Sequence, residues 1–377
     1  MKNKLKVMTV VGTRPELIRL SRVISELNKH TNHRLVHTGQ NYDYELNEIF
    51  FKDLKIKKPN YFLEAKGKTP METVGKVLPQ VEKIIDKFNP DAFLILGDTN
   101  SCLSSIAAKR KKVPIFHMEA GNRCFDMRVP EETNRKIVDH ISDINLPYSS
   151  IAREHLVREG IPSNKIVVTG SPMLEVLNFY YEKIISSEVL KRFNLQPEDY
   201  FVFSCHREEN VDDDKNIESF KKILNEINKK FKKKIVVSLH PRTKKILAKK
   251  KFKFNKDIIF SKPLSFTDYV NLQINAKAVL SDSGTISEES SILNFPALNI
   301  RESHERPEAM EEGSVMMVGL DKNRILQALE IIANQSRSED RDLDIPADYT
   351  SNNVSKKILR IIMSYTNQVN KRDWLKD

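Results

Sequence analysis

Leu5-Lys6-Val7-Met8-Thr9-Val10-Val11-Gly12-Thr13-Arg14-Pro15-Glu16 reads as a buried strand that breaks at a turn and opens a helix. The strand-like part is short, apolar and unbroken. Thr13 and Glu16 have capping-box spacing, and Pro15 falls in the first helical turn. Leu17, Leu20, Ile24 and Leu27 then recur at helical spacing as one apolar stripe. The same order returns at Ala92–Leu96 and 101–109. Strands alternating with helices point to α/β architecture with a doubly wound parallel sheet.

Further along, Val113–Phe116 reads as a strand, 131–141 as a helix, Ile144–Leu146 as a strand, and a helix runs to Glu159 before Ile166-Val167-Val168-Thr169-Gly170. A second series starts near Tyr200. Strand-like Phe201–Ser204 is followed by Phe220, Ile223, Leu224 and Ile227 at helical spacing, then by strands Ile235–Leu239 and Ala278–Leu280. Two Rossmann-like domains facing a cleft are therefore expected, with the ligand between them. The boundary falls between Gly170 and Gln196, placed at 172, with the second domain running from 173 to 362. Val354, Ile358, Ile361 and Tyr365 mark a terminal helix, whose end (363–377) is expected to return to the first domain.

With 377 residues, 40% hydrophobic and 30% charged, the chain fits a two-domain globular protein. No apolar run reaches spanning length, and Met1-Lys2-Asn3-Lys4 leads straight into the first strand, so a cytoplasmic location without membrane insertion is expected. Cys102, Cys124 and Cys205 are scattered, which indicates neither a disulfide framework nor a zinc site. The net charge is +11, with Lys runs such as 232–234 and 249–251. No nucleic-acid motif accompanies it, so a solvated helix face is the simpler reading.

Three acidic segments carry the chemistry: Gly97-Asp98-Thr99, His117-Met118-Glu119-Ala120-Gly121 and Pro130-Glu131-Glu132. The first two follow strands, so they fall at the carboxyl ends where open α/β sheets bind ligands. Several carboxylates in one crevice raise each other's pKa, and proton transfer gives that arrangement a purpose. Arg14 at a strand-to-helix turn, with Arg19 a turn and a half further on, offers cations to an anion; a surface salt bridge is the alternative for Arg14. The turn lacks the spaced glycines of a dinucleotide fingerprint. Ser283, Gly284 and Thr285 open a helix after the Ala278–Leu280 strand. Thr285 and Glu288 again have capping-box spacing, so this is either a phosphate site, with Glu289 on ribose hydroxyls, or a plain N-cap. His206 and His240 follow strands and are candidates for acid, base or phosphate partner. Arg306, before another helix-like run, is a further candidate for phosphate or carboxylate. His117 is the weaker choice beside Glu119. No His-Glu-x-x-His spacing is present.

In this order, Gly12-Thr13-Arg14-Pro15-Glu16, Gly97-Asp98-Thr99, Glu119-Ala120-Gly121, Pro130-Glu131-Glu132 with Asn134-Arg135, His206-Arg207-Glu208, Asp282-Ser283-Gly284 with Glu288-Glu289, and Glu305-Arg306-Pro307-Glu308 span most of the chain. The set resembles the non-hydrolysing UDP-N-acetylglucosamine 2-epimerase family. That resemblance implies a glycosyltransferase-B-like fold, UDP bound mainly by the second domain, a homodimer, and no metal or nicotinamide cofactor. By position it makes Asp98, Glu119 and Glu131 the catalytic carboxylates and His206 the catalytic histidine. Arg14 and Arg19 match the basic pair near the diphosphate, where the family usually has Lys at the latter. Ser283, Gly284, Glu289 and Arg306 match nucleotide contacts, Tyr269 stands where a Phe usually lies near the uracil, and Thr285 and His240 remain substrate-binding candidates from their own positions.

Several positions depart from the glucosamine enzymes. Asn100-Ser101 replaces Thr-Thr, Asn122 replaces Leu, and the 123–130 loop is shorter and lacks their Trp. Gln40-Asn41-Tyr42-Asp43-Tyr44-Glu45 replaces Gln-His-Arg-Glu. These variants resemble a sister branch that converts UDP-2-acetamido-2,6-dideoxy-L-talose to UDP-N-acetyl-L-fucosamine for capsule or O-antigen synthesis. A retaining glycosyltransferase, a hydrolysing epimerase and a UDP-sugar sensor are the competing readings.

Overall fold

The computed structural model describes residues 4–40, 44–205, 214–239 and 254–376. Its chain divides into two compact units, Met1–Phe179 with Asp348–Asp377, and Tyr180–Ala347. The expected boundary at 172 lies a few residues before the first crossing, and that at 362 lies within the terminal helix Val354–Asp373.

The first unit holds β1 (Lys6–Val11), β2 (Asn32–His37), β3 (Tyr61–Phe62), β4 (Ala92–Leu96), β5 (Ile115–Met118) and β6 (Ile144–Leu146). They form one parallel sheet in the order β3-β2-β1-β4-β5-β6. The second unit holds β7 (Tyr200–Cys205), β8 (Lys234–Leu239), β9 (Ile258–Ser261), β10 (Ala278–Ser281), β11 (Ala297–Asn299) and β12 (Met316–Met317). Their order is β12-β11-β10-β7-β8-β9, again all parallel. Read from β9, this repeats the order of the first sheet. Two such Rossmann-like sheets with interleaved helices make a glycosyltransferase-B-like α/β fold.

Each sheet is buried on both faces, which is why its strands are apolar runs rather than alternating patterns. In the first unit Met8, Val10, Phe93, Ile95 and Ile115 pack with Val77, Val81 and Ile85 of the helix Pro70–Phe88. In the second, Phe201, Phe203, Ile235 and Leu280 pack with Phe220, Leu224 and Ile227 of the helix Asp214–Phe231. The terminal helix Val354–Asp373 belongs to the first unit and lies against the helix Arg14–His30. Glu175 fixes its start by accepting from the Ser355 backbone N–H at 2.8 Å.

Some local expectations are corrected. β5 begins at Ile115 rather than Val113, because Pro114 has no N–H and the Val113 N–H bonds back to Ala108. Ile166-Val167-Val168-Thr169-Gly170 contributes a single bridge, from Ile166 to Asn145. The segment after β4 opens as a tight turn, Cys102–Ser104, before the helix Ser105–Arg110.

Strand order reverses between β1 and β4 in the first unit and between β7 and β10 in the second. Crevices form at such points beyond the carboxyl ends of the strands. The Gly12–Glu16 and Gly97–Ser101 segments leave β1 and β4 at the first of them. Asp282–Thr285 leaves β10 at the second.

Candidate active site

Asp98 follows Gly97, whose φ of +71° turns the chain out of the sheet. The Arg135 guanidinium meets Asp98 Oδ2 with Nε and Nη2, each at 2.7 Å. Asn134 Nδ2 donates to the Asp98 carbonyl at 2.8 Å. Among the described residues Asp98 Oδ1 makes no bond, so one carboxylate oxygen is anchored and the other is left for a ligand.

Arg135 lies on the helix Pro130–Ile141, whose first turn carries Glu131 and Glu132. Positions four apart share a helix face, so half-buried Glu131 lies on the side that Arg135 presents to Asp98. Glu132 has a different task. It is fully buried, accepts from Arg135 Nη1 at 2.8 Å and from the N–H groups of Cys124 and Phe125 at 3.2 and 3.3 Å. Burial opposes its ionisation, but the Cys124 N–H and the Arg135 guanidinium outweigh that and hold its pKa below the ordinary glutamate value.

Glu119 follows β5 with φ +64°, a left-handed conformation that costs an L residue about 1–2 kcal/mol. Strain of this kind collects at functional sites. The side chain is buried and forms an ion pair with Arg19; Asn122 Nδ2 donates to its Oε1 at 3.2 Å. A Cβ on Gly97 would lie 3.9 Å from Glu119 Oε2, so the Glu119 carboxylate sits against the turn that presents Asp98. Arg19 pairs with Glu119, and Arg14 stacks its guanidinium over Phe50, 5.4 Å from the ring centre.

His117 is a structural residue. It is buried, with Nε2 2.9 Å from the Gly97 carbonyl and Nδ1 2.9 Å from Asp139. Asp139 also pairs with Arg123 Nη1 at 2.8 Å and accepts from the Gly121 N–H. Gly121 has φ +78°, and a Cβ there would lie 2.2 Å from the Ala152 carbonyl oxygen. Sequence reasoning left Asn122, Arg123, Arg135 and Asp139 outside the site. For Arg135 the available signal was its spacing of four from Glu131.

The capping boxes are absent as capping boxes. Thr13 makes no side-chain cap; its hydroxyl donates to Glu16 Oε1 at 3.0 Å, and Glu16 Oε2 accepts from the Gly12 N–H at 2.6 Å. Thr285 makes no cap either: Ser283 Oγ bonds it, 3.0 Å from Thr285 Oγ1 and 3.4 Å from Thr285 N. Glu288 is buried and faces Arg306 Nε at 3.5 Å.

In the second unit the remaining candidates gather beyond β7 and β10. Tyr269, on the helix Phe266–Asn275, reaches the side chains of Ser204 and Ser281, and burial pushes its phenol pKa well up. Glu289 accepts from Gln273 Nε2 at 2.8 Å. A Cβ on Gly284 would lie 3.6 Å from Glu305 Oε1, which brings the Glu305-Arg306 segment beside the turn. Arg306 is buried, and its N–H bonds His304 Nδ1 at 3.2 Å. His206 and His240 lie outside the described residues. Among the described residues no cluster of His, Cys, Asp or Glu is arranged to hold a metal, and no helix is long and apolar enough to cross a membrane.

Residues 25–363 match the UDP-N-acetylglucosamine 2-epimerase family. The chain belongs to this family of non-hydrolysing isomerases. A solved structure of UDP-N-acetylglucosamine 2-epimerase from Rickettsia bellii is 50% identical, with TM-score 0.93, covering 99% of this chain and 100% of that one. The Methanocaldococcus jannaschii epimerase, solved in complex with UDP-GlcNAc and UDP, is 35% identical with TM-score 0.89 over 96% of this chain and 100% of that one. The UDP-2,3-diacetamido-2,3-dideoxy-D-glucuronate 2-epimerase of Pseudomonas aeruginosa is 32% identical, over 90% of this chain and 95% of that protein. Members of the family therefore differ in the sugar they take.

Proposed function

We propose that this protein is a UDP-N-acetylhexosamine 2-epimerase that converts UDP-2-acetamido-2,6-dideoxy-L-talose to UDP-N-acetyl-L-fucosamine for capsule or O-antigen synthesis. The observation that carries the epimerase reading is the convergence of Asp98 and Glu119, each fixed by an arginine, on the crevice beyond β4 and β5. Two features support the L-talo sugar. Asn122, a Leu in the glucosamine enzymes, bonds Glu119 at 3.2 Å, and Ser101, a Thr there, bonds Glu16. The groups around the carboxylates thus differ where the two branches differ.

The second reading is UDP-N-acetylglucosamine as substrate and UDP-N-acetylmannosamine as product. The names of the Rickettsia and Methanocaldococcus relatives favour it.

Either sugar meets the same obstacle. Carbon 2 bears an acetamido group and has no adjacent carbonyl, so its proton is not acidic. Breaking the bond from carbon 1 to UDP creates an oxocarbenium-like centre, and the neighbouring proton becomes removable. Elimination leaves UDP and a 2-acetamidoglycal. Protonation on the opposite face and re-addition of UDP give the epimer, with no redox step.

Charge assigns the roles. Arg14, Arg19, His206, His240 and the turn Ser283-Gly284-Thr285 stabilise the departing diphosphate, and Arg306 contacts the nucleotide. Tyr269 and Glu289 hold the uridine. Two of Asp98, Glu119 and Glu131 serve the two faces of carbon 2 as base and acid, and the third stabilises the cation. Such acid–base steps contribute about 10²–10⁴-fold each. The protein acts as a homodimer without metal or cofactor.

The deciding experiment incubates the L-talo UDP-sugar and UDP-N-acetylglucosamine separately and follows the carbon 2 epimers by NMR. Turnover of the L-talo compound at a rate at least about 100-fold above the glucosamine compound supports the first reading, since one extra or missing group in a pocket is worth about 10–200-fold. The reverse preference establishes the second.

A further inference from the structure

We propose that Glu16 is a positioning residue that sets the reacting geometry of Asp98. The inference rests on the reading above, in which Asp98 acts at carbon 2. Glu16 is buried in the third position of the helix Arg14–His30, at the point where strand order reverses between β1 and β4. Its carboxylate gathers donors from two separate turns. From its own turn come the Gly12 N–H at 2.6 Å and the Thr13 hydroxyl at 3.0 Å. From the turn after β4 come the Thr99 hydroxyl at 2.5 Å and the Ser101 hydroxyl at 3.1 Å from both oxygens. Thr99 in turn accepts from Gln40 Nε2 at 3.3 Å, which ties in the end of β2.

The Asp98 turn needs such an anchor. The ladder of β4 with β5 ends at Leu96 and Met118, and Gly97 bends the chain away. Beyond it, the helix Pro130–Ile141 holds Asp98 from one side through Asn134 and Arg135. Glu16 holds the next residue, Thr99, and Ser101 from the other. Asp98 is thereby clamped between two elements that share no strand.

The chemistry of the anchor is specific. Four donors converge, and a carboxyl group, which is ionised above its raised pKa of about 7, then accepts at about four sites and donates at none. A glutamine would set N–H groups against some of them. Among the described residues every group that bonds Glu16 is neutral, so the carboxylate is buried without a cation. That is costly, and stability alone would be better served by an apolar residue.

The test combines Glu16→Gln, Glu16→Asp, Thr99→Val and Ser101→Ala with Asp98→Asn as control. The assay uses whichever UDP-sugar turns over, with calorimetric UDP affinity and thermal melting on the same samples. Misplacement by about 1 Å costs on the order of 100-fold in rate. Glu16→Gln is expected to lose about that in kcat while UDP affinity stays within about threefold. Glu16→Asp, which keeps the acceptors but shortens the reach, is expected to fall in between. Ser101→Ala added to Glu16→Gln is expected to cost no further rate, because both act through one network. If Glu16→Gln does not fold, Ser101→Ala and Thr99→Val decide: a loss of about fivefold or more in kcat with unchanged melting supports the inference, and rates within twofold of the parent overturn it. Glu16→Gln retaining normal kcat, or losing kcat only in proportion to its folded fraction, also overturns it. A normal rate for Asp98→Asn would instead sink the reading of Asp98. A normal Glu16→Gln beside a dead Asp98→Asn sinks the positioning role alone.

Discussion

Arg135 places two of its guanidinium nitrogens 2.7 Å from a single oxygen of Asp98 while its third reaches Glu132 at 2.8 Å. One planar fork thus fixes an acidic side chain from the β4 turn to the helix that carries Glu131. Lys cannot reproduce this, because its ammonium is a point charge without the fork. Arg135→Lys is expected to lower kcat by about 10- to 100-fold, with misplacement of Asp98 as the cause. Asp98→Asn is expected to cost about 10²–10⁴-fold. Steady-state kinetics on both variants check the order; an Arg135→Lys enzyme of normal rate contradicts the role given to the fork.

The buried pair of Arg19 and Glu119 gives a stability prediction. Arg19→Ala leaves Glu119 buried beside Asn122 without its cation. Breaking such a pair typically costs about 3–5 kcal/mol. Arg19→Lys keeps a cation on a flexible stem and is expected to cost far less. Urea denaturation of the two variants separates them, and equal midpoints would count against the pairing.

Stability should fall on acidification, and two histidines set the window. His33 is buried between Asn28 and Thr9, each 2.8 Å from a ring nitrogen; burial, helped by Arg34, lowers its pKa to about 4. Burial likewise lowers His37 to about 4. In the unfolded chain both titrate near 6.5. The unfolded state therefore binds more protons between about 4 and 6.5, so the stability they contribute is complete above 6.5 and is lost as pH falls towards 4. Glu16 runs the other way: burial raises it to about 7 from 4.5 despite the bonds from Thr99, Gly12, Thr13 and Ser101, so its stabilisation is complete below 4.5 and is lost as pH rises through 7. Over the shared window one carboxyl offsets one of two imidazoles, and the net slope still falls with acid. His33→Gln is expected to flatten urea midpoints between pH 5 and 7; an unchanged slope contradicts the assignment.

Most of the fold was legible because both sheets are buried on two faces, so β1, β4, β6, β7, β8 and β10 stand out as apolar runs. Their ends blurred where one residue decides, as Pro114 does for β5. The places of Asp98 and Glu119 after strands, and of Glu131 at a helix start, were legible. Their supports were not. Glu16 carries a capping spacing that the structure uses for a tie to Thr99 and Ser101, more than 80 residues away in sequence. Arg135 pairs with Asp98 across 37 positions, and Asp139 with Arg123 across 16. Apart from the spacing of four that links Arg135 to Glu131, local spacing carries no signal for bonds that exist only after the sheet has assembled.

The terminal helix should be indispensable to the first unit. Val354, Ile358, Ile362 and Val369 are buried, and Lys165 reaches Asp373 at 3.2 Å. Truncation after Asn353 strips this cover from the helix Arg14–His30 and should leave the first unit unfolded or aggregated. The milder Glu175→Gln, which weakens the bonds to Ser355, is expected to cost about 1–3 kcal/mol. Circular dichroism melts on both variants provide the check.

The central claim is that the bond to UDP breaks first and that side-chain carboxyls then exchange the proton at carbon 2. Running the reaction in D₂O and reading the product by NMR tests it most directly. The account predicts one deuteron at carbon 2 of the epimer, with UDP attached at the end. Full retention of the original hydrogen in the inverted product would contradict it.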